Sequence, residues 1–129
     1  MGNYTFRKDE RLKKEKHIQE LFTKGSSFYL FPFKILLLPV PDIGTIRSHQ
    51  VLISVSKRNF PKAVDRNIVK RRIREAYRME KAKLPSEVLY HIGILYTHKE
   101  ILPYADISSK MVHVVNRING VSSEKRKAK

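Results

Sequence analysis

The stretch Ser54–Arg78, SVSKRNFPKAVDRNIVKRRIREAYR, joins the end of an apolar strand to a long basic helix. Its first residues close the segment His49–Ser56, whose branched apolar side chains predict a central β-strand. From Lys62 to about Lys83 the apolar side chains recur at helical spacing, and Pro85 marks the end of the helix. The stretch therefore predicts a strand followed by an amphipathic helix that packs on the sheet.

The rest of the chain supplies the other elements of an α+β fold. Strands are predicted at Phe28–Val40 and Tyr90–Thr97. One helix is predicted before them, from about Lys13 to a stop at Gly25, and another after them, from Pro103 to a stop at Gly120. This order predicts one domain with helices packed on a single sheet over residues 1–121, followed by a basic, disordered tail over residues 122–129.

The composition narrows the function to binding a polyanion. The 129 residues suit one domain, and 27 Lys and Arg against 12 Asp and Glu give a formal net charge of +15. Each cation placed on a phosphate releases a counterion, so nucleic acid is the leading partner and an anionic membrane the main rival. The absence of Cys excludes disulfides, thiolate zinc sites and cysteine nucleophiles, and suits a reducing cytosol, hence a cytoplasmic protein.

The charges of the basic helix are concentrated on one sector of its surface. At about 100° per residue, six polar side chains occupy less than half of the circumference: Arg66, Asn67, Lys70, Arg71, Arg74 and Arg78. Val69, Ile73, Ala76 and Tyr77 fill an adjoining sector that would face the sheet. Like charges four residues apart repel by a few tenths of a kcal/mol. A bound polyanion would remove that penalty, whereas a merely solvated face would intersperse acids.

Asn67 lies within this cationic sector without carrying a charge. Its amide can donate and accept hydrogen bonds, so it could bind a base edge or a 2′-hydroxyl, or orient a neighbouring arginine. The alternative is a local backbone cap near the start of the helix.

The spacing of these residues closely resembles that of the bacterial ribonuclease P protein subunit. The resemblance is carried by Ala63-Val64, Arg66-Asn67, Lys70-Arg71 and Arg74-Glu75. A weaker similarity from Phe6 to Gly25 and the later strand and helix extend it over about residues 5–119. It implies an α+β, two-layer sandwich of order αβββαβα, with a left-handed crossover around the basic helix.

The resemblance also implies a function. In that family the protein is a cofactor of a ribonucleoprotein endoribonuclease that removes the 5′ leader from precursor tRNA. The large catalytic RNA, with bound Mg²⁺, carries the chemistry, so the protein alone is expected to be inactive and no residue is assigned to catalysis or metal binding. One protein per RNA is expected. The residues that would dock on the catalytic RNA are Arg66, Asn67, Lys70, Arg71 and Arg74, with Arg78 on the same row.

A separate cleft, between the first helix and the sheet, would hold the single-stranded leader. Aromatic platforms beside cations grip single strands, and the residues expected there are Ile18, Phe22, Phe28, Phe33, Ser54, Lys57 and Arg58. For each aromatic residue, Tyr29 included, the alternative is an ordinary core position. The chain departs from the family at Ile18, where an aromatic is usual, and at Phe60-Pro61-Lys62, where Gly usually precedes Ala63.

Three other functions compete with this interpretation. A self-sufficient nuclease would need converging acids or histidines, and Glu15 and Glu20 share a helix face poorly while the five His have no ligand spacing. A ribosomal or other structural RNA-binding protein fits the composition equally well and is disfavoured only by the motif spacing. Peripheral membrane binding would need large apolar residues opposite the cationic face of an amphipathic helix, whereas the basic helix is expected to bury its apolar sector within the domain. A membrane-spanning segment is disfavoured because Pro32 and Lys34 interrupt the longest apolar run.

Overall fold

The computed structural model describes residues 10–40, 48–85 and 88–127. Its elements are α1 (Glu15–Lys24), β1 (Ser26–Leu30), β2 (Phe33–Pro39), β3 (Gln50–Val55), α2 (Ala63–Glu80) with a 3₁₀ turn at Lys81–Lys83, β4 (Tyr90–Tyr96) and α3 (Tyr104–Lys127). The predicted α+β class and the order αβββαβα are confirmed.

The four strands form one sheet in the order β1-β2-β4-β3. β2 is antiparallel to both β1 and β4, whereas β3 and β4 are parallel neighbours joined through α2. Parallel neighbours need a crossover connection, and the basic helix is that connection. Because β3 is last in the strand order, it is an edge strand. It also contacts α2, the helix that follows it in the chain.

The main core lies between the sheet and the layer formed by α2 and α3. Alternate side chains of each strand, including Ile35, Ile92 and Ile94, meet Val69 and Ile73 of α2 there, all of them at most 1% exposed. The other face of the sheet carries a smaller cluster in which Leu12, Leu21 and Leu36 are buried. This second cluster is where α1 lies on the sheet.

Two glycines allow α1 to lie close to the sheet and then turn into β1. A Cβ on Gly93 would lie 3.2 Å from the Leu21 side chain, so a larger residue in β4 would lift the helix. A Cβ on Gly25 would lie 2.4 Å from the Leu21 carbonyl oxygen, a contact that the backbone cannot accommodate. Gly25 ends α1, as predicted, with its N–H donating to that carbonyl.

The single strand predicted over residues 28–40 is wrong, because the segment forms the hairpin β1–β2. Leu30 pairs with Phe33 across a turn at Phe31-Pro32. Proline lacks the N–H that a strand interior needs, which makes Pro32 a natural turn position. The aromatic and branched residues on both sides favour strands equally and conceal the break.

The predicted stop of the last helix at Gly120 is also wrong, since α3 continues to Lys127. An interior glycine costs a helix only about 1 kcal/mol relative to alanine. Apart from the backbone of α3 itself, no atom of the described residues lies within 4 Å of the place where a Cβ on Gly120 would be. The helix therefore includes six residues that the sequence assigned to the tail. The boundary at residue 121 stays a prediction.

No helix within the described residues combines the length and the apolar character needed to cross a membrane.

Candidate nucleic-acid interface

The cationic sector, defined by Arg66, Asn67, Lys70, Arg71, Arg74 and Arg78, lies on α2 beside the buried apolar sector. Val69, Ile73, Ala76 and Tyr77 are at most 3% exposed and hold α2 against the main core. Asn67 and Arg71 are exposed, and Lys70 and Arg74 are half-buried. The predicted division of the helix into an apolar and a cationic sector is confirmed.

Two arginines of the sector have partners within the protein. The Nη1 of Arg66 donates to the carbonyl oxygens of Phe60 (2.8 Å) and Pro61 (2.9 Å). The Nε of Arg78 donates to Glu75 at 3.1 Å, and the two side chains form an ion pair. Arg66 thus stabilises the loop where the chain departs from the family pattern, and Arg78 is charge-balanced.

Lys70, Arg71 and Arg74 form the uncompensated centre of the sector. Among the described residues, no carboxylate lies within ion-pair distance of any of the three. Burial, and then the charges of Arg11 and Arg71, lower the pKa of Arg74. Arg11, Arg71 and Arg74 thus lie close enough to repel one another. Such a concentration of positive charge is expected of a surface that binds an anion.

A groove of about 300 Å³ extends this centre to the edge of the sheet. Lys70 and Arg74 line one side, Arg11 and Lys13 line the other, and residues 51–53 of β3 lie between them. Arg11 and Lys13 were not among the predicted docking residues, because nothing in the local sequence pattern predicts that the segment before α1 runs beside β3.

Two contacts hold that segment in place. The Leu12 N–H donates to the Val51 carbonyl at 2.9 Å, and Arg11 forms a parallel bridge with the same strand residue. Glu10 pairs with Lys81 at 2.6 Å, with both side chains nearly buried at 10% and 12% exposure. An ion pair this sheltered from water is screened little by salt, so it keeps the segment beside the end of α2.

A second candidate surface, the α1 cleft, lies on the opposite face of the sheet. One row of directly paired residues crosses all four strands there: Tyr29, Lys34, Leu95 and Ser54. The next row includes Leu36 and Gly93, which Leu21 of α1 covers. The first row therefore forms the floor of a cleft beside α1, about 15 Å across at the usual strand spacing.

Ile18 and Phe22 form the helical wall of the α1 cleft. His17 packs on His91 at the start of β4, with ring centroids 5.0 Å apart, so the other flank of α1 faces the uncovered row. Ile18 is half-buried in the second cluster together with Leu95, whereas Phe22 is 52% exposed. Ile18 therefore borders the floor row, and Phe22 lies exposed on the same helix near it.

His91 lies beneath α1 and is 4% exposed. Its Nε2 has no hydrogen-bond partner among the described residues. Burial, and then the neighbouring His17, lower its pKa, while Glu20 acts in the opposite direction. Where α1 lies on the sheet, the neutral form of the His91 imidazole is therefore favoured.

Phe28 and Phe33 lie on the wrong face of the sheet for the predicted role. Phe33 is fully buried in the main core, and Phe28 packs at the edge of that core beneath Arg117, whose Cζ is 4.9 Å from the ring centroid. The hairpin sets this alternation, because Phe28 pairs with the inward-facing Ile35. For both residues the core alternative was correct, and Phe33 is unavailable to a ligand.

Ser54, Lys57 and Arg58 lie at or beyond the end of β3. Ser54 is the half-buried last member of the floor row, and Lys57 and Arg58 are exposed in the turn that follows. The Ser56 hydroxyl accepts a hydrogen bond from the Arg58 N–H at 3.0 Å. The end of β3 thus carries two exposed cations, and their part in binding a leader stays a prediction.

The described residues contain no group of three or more His, Asp or Glu side chains that could hold a metal ion. The groove beside α2 combines cations with the edge strand β3. The α1 cleft, on the other face of the sheet, combines cations with exposed aromatic rings.

Comparisons with known proteins agree with this arrangement. A family model described as Ribonuclease P matches residues 6–119. The ribonuclease P protein component of Porphyromonas gingivalis is 30% identical over 121 residues, covering 88% of this chain and 85% of that protein. That of Limosilactobacillus reuteri is 35% identical over 111 residues, covering 86% and 91%.

A solved structure of the RNase P protein from Staphylococcus aureus has the same fold. It superposes with a TM-score of 0.69 at 26% sequence identity, covering 84% of this chain and 94% of that one. The matched region contains the basic helix, the sheet and the cleft. The chain belongs to the ribonuclease P protein family.

Proposed function

We propose that this chain is the protein subunit of a ribonuclease P ribonucleoprotein, an endoribonuclease that matures the 5′ ends of tRNAs. The observation that carries the proposal is the uncompensated centre of the cationic sector, Lys70, Arg71 and Arg74, in a chain of this family. These cations would bind phosphates of the catalytic RNA, with the exposed amide of Asn67 available to a base edge or 2′-hydroxyl.

The α1 cleft would hold the single-stranded 5′ leader of precursor tRNA. Unpaired bases stack on aromatic side chains beside cations, and the cleft offers an exposed Phe22 on its wall and Tyr29 and Lys34 on its floor. The two RNAs would thus be held by different faces of one sheet. The protein could then bring the leader and the catalytic RNA together without supplying a reacting group.

In this proposal the catalytic RNA and its Mg²⁺ supply the hydrolytic chemistry, and the protein stabilises the complex. The protein's charge would offset phosphate repulsion that otherwise requires a high concentration of Mg²⁺. We place one protein on each RNA, in the cytoplasm.

Reconstitution tests the proposal. The purified protein is added to a bacterial ribonuclease P RNA and a precursor tRNA at low Mg²⁺, and 5′-leader release is measured. We expect cleavage to rise strongly with the protein and to be absent with the protein alone. Equal cleavage with and without the protein would contradict the proposal, and cleavage by the protein alone would favour the self-sufficient nuclease.

A further inference from the structure

Exposed aromatic side chains are concentrated at one end of the sheet. The described residues contain four aromatic side chains that are more than one-third exposed: Phe22 (52%), Tyr29 (59%), Phe31 (44%) and Tyr104 (37%). Tyr104 begins α3, whereas the other three lie on the wall of the α1 cleft, on its floor and at the β1–β2 turn. Exposing two further rings beside a cleft that already has Phe22 costs solubility, which favours a binding role.

The two additional rings are held in position by the end of β4. The hydroxyls of Tyr29 and Thr97 are 3.4 Å apart, and the Thr97 N–H donates to the Pro32 carbonyl at 2.9 Å. The Phe31 ring meets the edge of the His98 ring, with centroids 5.0 Å apart. Thr97 thus contacts Tyr29 and His98 contacts Phe31, so the end of β4 holds both rings in position while much of each ring stays exposed.

The surroundings of these rings are mainly cationic. Lys34 is exposed and pairs directly with Tyr29 across the hairpin. β3 and β4 are parallel, with Val55 opposite Tyr96, so the exposed Lys57 and Arg58 leave the sheet at the same end, across the width of the sheet from Tyr29. An acid, Glu100, also lies at this end of the sheet, with its carboxylate 3.7 Å from His98 and its side chain 85% exposed. Rings that alternate with cations suit an unpaired nucleic acid strand.

We propose that Tyr29 and Phe31 form a second base-stacking subsite, which receives leader nucleotides that extend beyond the α1 cleft over the β1–β2 hairpin. The inference rests on the proposed function and adds to it the length of leader that the protein can bind. A short leader would fill only the cleft beside Phe22, whereas a longer leader would also reach the hairpin. The subsite would be indifferent to sequence, because every base has a face that can stack.

The test compares precursor tRNAs that carry leaders of increasing length. The assembled ribonucleoprotein is prepared with wild-type protein, with the double variant Tyr29→Ala/Phe31→Ala, and with the control Tyr104→Ala. We expect the double variant to bind long-leader precursors about tenfold more weakly per lost base stack, and to bind the shortest leaders and mature tRNA normally. The control should match the wild type at every length.

The results separate this inference from the function on which it rests. If Phe22→Ala weakens leader binding but the double variant does not at any length, the subsite is refuted and the proposed function stands. If neither variant distinguishes precursor from mature tRNA, the leader-binding function itself fails. Equal weakening of all RNAs, or a changed oligomeric state of the double variant in sedimentation, would assign the rings to folding or self-association and overturn the inference. The conservative variant Tyr29→Phe should retain the long-leader advantage.

Discussion

The cationic sector of α2 and the α1 cleft lie on opposite sides of the edge strand β3, and they differ in chemistry. Four of the sector's five cations have no ion-pair partner among the described residues, and the sector has no exposed aromatic ring. The cleft has exposed rings at Phe22 and Tyr29 and one lysine, Lys34, in its floor row. Charge without stacking suits the phosphates of a folded RNA, whereas stacking with modest charge suits an unpaired strand. The difference predicts that each surface can be disabled separately.

The largest effect is expected at Phe33, where the sheet separates the core from the cleft. Phe33→Ala should lower the free energy of unfolding by about 3–5 kcal/mol, the usual cost of emptying a buried phenylalanine site. Denaturant unfolding of the isolated protein measures it. The milder variant Phe33→Leu should fold and keep its preference for leader-bearing precursor. Selective loss of that preference in Phe33→Leu would show that Phe33 takes part in leader binding, and would contradict its assignment to the core.

Charge reversal at the centre of the sector should have the next largest effect. Lys70→Glu/Arg74→Glu removes two charged contacts of about 1.5 kcal/mol each, so affinity for the catalytic RNA should fall roughly a hundredfold. The slope of log affinity against log salt should become shallower by about two units. Filter binding over a series of salt concentrations measures both.

A matched control changes the same net charge on another helix. Lys110→Glu/Arg117→Glu on α3 should leave most of the affinity and the slope intact. If both double variants lose affinity equally, binding depends on overall charge and the sector has no special role.

A smaller and more selective effect is expected from the wall of the cleft. Phe22→Ala should weaken leader-bearing precursor by about 1–3 kcal/mol, the contribution of one base stacked on a ring. Mature tRNA should bind as before, and the salt slope should not change because no charge is lost. Equal weakening of precursor and mature tRNA would exclude a leader-specific role for Phe22.

The smallest expected effect is a dependence of the cleft on pH. Burial lowers the pKa of His91 below 6.5 in the folded protein, so the neutral imidazole favours α1 in place. As the pH falls below about 6.5, states in which α1 has lifted take up the proton more readily, and α1 should detach more often. Leader preference should therefore weaken in mild acid, while binding of the catalytic RNA through α2 changes less.

The variant His91→Gln isolates the contribution of this imidazole. It removes the titrating group, leaving His17 and Glu20 as the ionisable neighbours, and should flatten the pH profile of leader preference between pH 5 and 7. An unchanged profile in the variant would show that His91 does not couple the cleft to pH.

Sequence patterns predicted the basic helix well and the cleft only in part, for physical reasons. The helical repeat alone determines which side chains of α2 share a face, whatever the helix packs against. The cationic sector could therefore be predicted from residue spacing. The side of the sheet on which Phe28 and Phe33 lie depends on where the hairpin turns, because one shifted residue reverses the alternation. The turn at Phe31-Pro32 was concealed among strand-forming residues, and both assignments failed with it.

Several residues reach the two surfaces only through long-range contacts, which the local sequence pattern does not predict. Lys34 and Leu95 reach the cleft floor only because β2 pairs with β4, and Arg11 reaches the groove only because Leu12 bonds to Val51. Neither pairing has a local signal. Similarly, the carbonyl contacts of Arg66 depend on the Phe60-Pro61 loop, so a residue predicted to bind RNA also stabilises the entrance to α2.

The most direct test of the two-surface account is a crossed measurement. Lys70→Glu/Arg74→Glu and Phe22→Ala are each assayed for affinity to the catalytic RNA alone, and for the preference of the assembled complex for precursor over mature tRNA. At protein concentrations that saturate the RNA, the account predicts that the α2 variant loses only the first property and the cleft variant only the second. If either variant loses both properties to the same degree, the two surfaces are not separate and the account is contradicted.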